Sequence, residues 1–63
     1  MELKEYDVVR LRRAHETLPA GALGTVLVVH GRGAFEVEFC DALGRSLAVS
    51  TMHQSLLEFV SRP

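Results

Sequence analysis

The chain has 63 residues, enough for one domain at most, because chains divide into separate cores only at several times this length, so residues 1–63 are read as a single unit. With 48% hydrophobic residues, 24% charged residues and 2 prolines, it has the balance of a folded chain, too short for a shielded multi-residue active site and without the roughly 18 apolar residues in a row that a membrane span needs. Seven Lys and Arg against eight Asp and Glu leave a formal charge of −1, which gives no global field to hold a polyanion or an anionic membrane, so any nucleic-acid contact has to be local.

Met1-Glu2-Leu3-Lys4-Glu5 is charged and no apolar run of signal-peptide length follows it, so the mature chain is expected to be the whole chain. Tyr6 to Leu11 is β-branched and lacks a helix start signal, which predicts a first strand. Arg12 to Leu23 holds Pro19, Gly21 and the polar His15-Glu16-Thr17, a long excursion with Leu18 and Leu23 as its apolar anchors. Gly24 to His30 is short, β-branched and apolar on both parities, the pattern of a strand buried on both sides or nearly so.

His30-Gly31-Arg32-Gly33 supplies a tight reversal. Phe35, Val37 and Phe39 then alternate with Glu36 and Glu38, the one-sided pattern of an antiparallel strand. Asp41-Ala42-Leu43-Gly44 has the chemistry of a type I hairpin with a bulge, Gly44 taking the left-handed position. Leu47 to Thr51 is a fourth strand. Thr51-Met52-His53-Gln54 has capping-box spacing and predicts one helical turn, of 3₁₀ type, near residues 52–55, and Leu56 to Val60 closes the chain as a fifth strand. Five short strands and no long helix describe an all-β, partly open barrel.

Tyr6-Asp7-Val8-Val9-Arg10-Leu11, Leu18-Pro19 and Gly21-Ala22-Leu23-Gly24-Thr25-Val26 resemble the start of a small SH3-like barrel. With Phe35-Glu36-Val37-Glu38-Phe39-Cys40-Asp41, Gly44, Leu47-Ala48 and Thr51, about residues 5 to 60 resemble the short bacterial domains of the domain of unknown function family 4926. The resemblance implies a fold and a bacterial source, and carries over no catalytic residue. A more distant resemblance is to KOW-type barrels of ribosomal and transcription-elongation proteins. Those modules often set Lys and Arg around their glycines, whereas Ala20 to Gly24 is neutral and apolar.

Several groupings of residues bear on chemistry. Lys4, Arg10, Arg12 and Arg13 put four of the seven basic residues within ten positions, and Arg32 joins them at a turn. On an extended first strand Lys4, Tyr6, Arg10 and Arg12 share a face, which would make a phosphate-contacting edge. The plainer account is edge protection, with Glu2, Glu5 and Asp7 diluting the field. Cys40, His15, His30 and His53 have no metal-ligand spacing, and Asp41 beside Cys40 disfavours a thiolate, so neither a metal nor a nucleophile is expected. Gly21-x-x-Gly24 lacks the Lys-Ser/Thr of a phosphate loop and is a turn. His53, Ser55 and Glu58 only loosely echo an acid–base set and are taken as a surface turn.

The informative feature is a surplus of apolar side chains. Val26 and Val28 stand on one parity against Leu27 and Val29, and Leu56 and Val60 against Leu57 and Phe59, more than one small core takes. The second set either packs under the loop around Leu18 and Leu23 or forms a contact surface. The leading expectation is a non-enzymatic, cofactor-free interaction module of a bacterial cytoplasm, the lone Cys40 favouring a reducing compartment. It binds a protein partner or itself through Val26, Val28, Leu57 and Phe59 or by strand addition at an open edge, and could act in antitoxin or immunity fashion. The alternative is a KOW-like nucleic-acid-binding barrel using Lys4, Arg10, Arg12, Arg13 and Arg32.

Overall fold

Five strands, β1 (Val8–Leu11), β2 (Leu23–Gly31), β3 (Ala34–Cys40), β4 (Ser46–His53) and β5 (Leu57–Ser61), form one antiparallel sheet in the order β4-β3-β2-β1-β5, with a 3₁₀ turn over Gln54–Leu56 leading into β5. The computed structural model describes residues 2–63. All five expected strands are present, with ends displaced by a residue or two. The sheet curls into a partly open barrel whose ends, β4 and β5, are not paired with each other.

The alternation in β3 sets the inside. Phe35, Val37 and Phe39 are buried and lie across from Met52, Ser50 and Ala48 of β4, while Glu36 and Glu38 turn to the outer face. Val9, Leu11, Val26, Leu57, Leu3 and Leu18 complete the core. Gly24 lies across from Phe39, and a Cβ there would stand 2.6 Å from Val37 Cγ1 and 2.9 Å from Phe39 Cδ1; the glycine lets those side chains fill the space over β2.

Turn chemistry fixes both long hairpins. Arg32 and Gly33, with φ of 56° and 75°, make the primed two-residue turn that suits right-handed strand twist. At the other hairpin Asp41 Oδ1 accepts from the amides of Leu43 and Arg45, both at 2.9 Å, and Gly44 takes φ 82° as expected. Its bulge leaves Cys40 opposite Ser46 while Phe39 lies opposite Ala48, so Leu47 is the extra residue.

Four expectations are corrected. The first strand starts at Val8, because Lys4 to Asp7 is a turn closed by the Asp7 amide on the Lys4 carbonyl at 3.0 Å, with Tyr6 at φ 72°. Lys4 and Tyr6 therefore do not share a strand face with Arg10 and Arg12. The helical turn is capped by His53, whose side chain accepts from the Ser55 amide, and not by Thr51, because the Gln54 amide donates to the Gly33 carbonyl instead. Leu18 anchors the long loop, buried and bridged to His15, but Leu23, expected as its second apolar anchor, is the exposed first residue of β2. Finally, β2 is not buried throughout. A bulge at Leu27 sets Val26 across from Val37 but Val28 across from Glu36, which moves Val28 to the outer face.

Candidate functional site

The outer face of β2, β3 and β4 gathers four of the large apolar side chains that the core leaves exposed. Leu23 (45% exposed), Val28 (41%), Leu47 (50%) and Val49 (51%) are large apolar side chains set in register around the central strand. Leu23 lies across from Cys40, with Leu47 on its far side at the bulge. The next rank is Thr25, Glu38 and Val49, and the one after it Val28, Glu36 and Thr51. An open groove of about 410 Å³ continues the first rank under the end of the long loop, between Pro19, Ala22, Leu23, Cys40, Ala42 and Leu47. The face is an apolar rim around two carboxylates, and His30 Nε2 stands 3.4 Å from Glu36 Oε1 at its far end.

The expected contact residues divide. Val26 and Leu57 are core residues, 0% and 4% exposed, and cannot meet a partner, because the bulge and the β5 register turn them inward. Val28 is on the outer face. Phe59 is half-buried, packed against the core beneath the Arg62 guanidinium, 5.3 Å from its ring centre. Leu23, Leu47 and Val49, exposed on the same face as Val28, were not among the expected contact residues. The signal for Val49 was the parity of β4 set by the Asp41–Gly44 turn.

The basic residues do not form a free patch. Arg10 pairs with Glu58 at 3.0 Å and Arg12 Nε donates to the Leu57 carbonyl at 3.2 Å, both beside β5. Arg32 stands at the tip of the β2–β3 turn, Arg13 at the start of the long loop and Lys4 in the N-terminal turn. None of these three has an acidic partner among the described residues. A second hollow, about 440 Å³, lies between Leu3, Arg12, Gln54, Leu57 and Phe59, and Arg12 is the one charged group among these described lining residues.

Titratable chemistry is structural where it is strong. Asp7 is fully buried: Arg62 donates from Nε to Oδ1 at 2.8 Å and from Nη2 to Oδ2 at 2.9 Å, and the Lys4 amide donates to Oδ2 at 2.8 Å. The Arg62 hydrogen bonds hold the Asp7 carboxyl below the usual carboxylate range against the opposing effect of burial, and raise Arg62 in turn. Asp41 is lowered chiefly by the Arg45 amide, with the Leu43 amide and the Arg45 side chain adding to it. His53 Nδ1 lies 2.9 Å from Ser55 Oγ and 3.1 Å from the Ser55 amide, a capping contact that sequence spacing did not reveal. Among the described residues no group of three His, Cys, Asp or Glu is placed to hold a metal, and no helix is long and apolar enough to cross a membrane.

The strand order, the long loop between β1 and β2, and the 3₁₀ turn before β5 define a small SH3-like barrel with a half-apolar outer face. The chain belongs to the family described as Domain of unknown function (DUF4926), whose sequence model matches residues 5–59. No curated protein and no solved structure matches it.

Proposed function

We propose that this chain is a non-enzymatic interaction module that binds a protein partner or a second copy of itself through the outer face of β2, β3 and β4. The observation that carries this reading is the set Leu23, Val28, Leu47 and Val49, each more than two-fifths exposed on one continuous sheet face. In a chain this small, apolar side chains held outside the core, adjoined by an apolar groove, are the signature of a contact surface. A reducing bacterial cytoplasm fits the unpaired Cys40, and neutralising a neighbouring protein in antitoxin or immunity fashion is one use such a module would have. The nucleic-acid reading has less support, because Arg10 is paired and Arg12 is bound to a carbonyl.

A photo-reactive amino acid placed at Leu47, and separately at Arg13, in the native cell tests this. The expected result is a covalent adduct with a polypeptide from position 47 and none from position 13. RNA or DNA trapped at position 13, with nothing at 47, reverses the assignment in favour of the KOW-like reading.

A further inference from the structure

The sheet has two edges, and they are guarded differently. Along β5, Glu58 pairs with Arg10, the Leu57 carbonyl accepts from Arg12, and Arg62 and Pro63 follow the strand. Charges and proline at an edge discourage pairing with another chain. The eight residues of β4, Ser-Leu-Ala-Val-Ser-Thr-Met-His, include no Lys, Arg, Asp, Glu or Pro. Its one irregularity is the bulge at Leu47, and from Ala48 to His53 it keeps regular register with β3.

The phase of that ladder shows which groups face outward. The Gln54 amide donates to the Gly33 carbonyl at 2.7 Å, one step beyond the Ala34–His53 pair. In an antiparallel pair the bonded residues alternate, so Met52, Ser50 and Ala48 direct their main-chain groups to β3, while Val49 and Thr51 direct theirs away from the sheet. Among the described residues no turn, loop or side chain donates to or accepts from Val49 or Thr51, and both residues are exposed.

We infer that β4 is a self-association edge, on which the β4 of a second copy adds antiparallel about Ser50. Val49 then stands opposite the copy's Thr51, and Ala48 opposite the copy's Met52. This rests on the interaction-module reading and names its partner. A second copy fits for three reasons. The segment is neutral, so it offers no charge by which a foreign acidic or basic peptide would be selected. Pairing about Ser50 matches outward-facing Val49 with outward-facing Thr51 and keeps the parity, so the exposed Leu47 and Val49 of both copies join on one face. Glu36 and Glu38 sit one strand in from the edge, which leaves about three strand spacings, roughly 14 Å, between like charges of the two copies. That is beyond the Debye length of about 8 Å at physiological salt. A contact limited to one strand edge stays below the roughly 1,200 Å² of stable complexes, so the association is weak and concentration-dependent.

Sedimentation equilibrium from about 10 μM to about 1 mM tests this, since weak edge pairing has its midpoint in that range. The wild-type mass is expected to rise from 7.0 kDa toward about twice that value. Thr51→Pro removes only an N–H that faces the copy, and Val49→Lys sets like charges across the axis. Both are expected to stay at the monomer mass with an unchanged circular dichroism spectrum. The register has its own check. In a Cys40→Ser background, Ser50→Cys is expected to form a covalent dimer on mild oxidation, since Ser50 faces its own copy across the axis. A wild type at 7.0 kDa throughout, or a dimer that survives both edge variants and does not link through Ser50→Cys, overturns the inference. In the first case an adduct with a different polypeptide at position 47 keeps the module reading, and no adduct removes that reading as well.

Discussion

Asp7 keeps its charge inside the protein because three donor groups, two on the Arg62 side chain and the Lys4 amide, converge on its two oxygens. The contact ties Arg62, which follows β5, to the turn that precedes β1, and the guanidinium also rests on the Phe59 ring. Since the folded-state pKa lies below that of the unfolded chain, this carboxylate contributes its full stability above the unfolded value near 3.9. The contribution fades as pH falls through the lowered folded value. Replacing the guanidinium by a chain of similar length, Arg62→Met, leaves the buried carboxylate with the Lys4 amide alone. The melting temperature at pH 7 is expected to fall by on the order of 10 °C, with a smaller gap to wild type at pH 3, toward the lowered folded value at which the native carboxylate takes up its proton. Thermal melts at both pH values check this. A gap that does not change with pH would assign the loss to packing on Phe59 instead. Nothing local in the sequence marked Asp7 as buried, since its partner is 55 residues away.

At the scale of elements, what was legible were the features that a few neighbouring residues decide. The Phe35-Glu36-Val37-Glu38-Phe39 alternation placed β3 and its buried face correctly, and Asp41 with Gly44 gave the turn and its bulge. What could not be seen was how bulges rephase a strand. Val26 and Val28 share a parity in the sequence, yet the extra residue Leu27 puts them on opposite faces, so one predicted contact residue is core and the other is surface. Leu57 went the same way, because the register of β5 against β1 is set by pairing across the sheet. The β2–β3 hairpin offers a test at this scale. Arg32 holds φ 56° at the first position of a turn that favours Asn there, and it makes no hydrogen bond among the described residues that would offset the strain. Arg32→Asn is expected to raise the melting temperature by about 4 °C with no change in the denaturant m-value. A melting temperature that is unchanged or lower would show that the Arg side chain supports the hairpin in a way its contacts do not reveal.

For the whole molecule, stability and association are linked. Among the described residues ten buried apolar side chains form the core, while the outer face and the β4 edge still present Leu23, Val28, Leu47 and Val49 to solvent. A core of this size leaves a small margin over the entropy of ordering the chain, and any binding confined to the folded state adds to that margin by mass action. If the copies pair along β4, the folded state is favoured by about 1.4 kcal/mol when free protein is about tenfold above the dissociation constant. The wild-type melting temperature is then expected to rise by roughly 5 °C or more between dilute and millimolar samples, whereas Thr51→Pro melts at one temperature throughout. The dilute limits of the two proteins matter as much as the rise. Because the Thr51 amide points away from β3, its removal leaves the monomer's own ladder whole, and the two proteins are expected to melt together when dilute. A variant already destabilised at low concentration would mean that this amide serves the barrel itself, and the outward phase assigned to β4 would have to be abandoned along with the edge contact built on it.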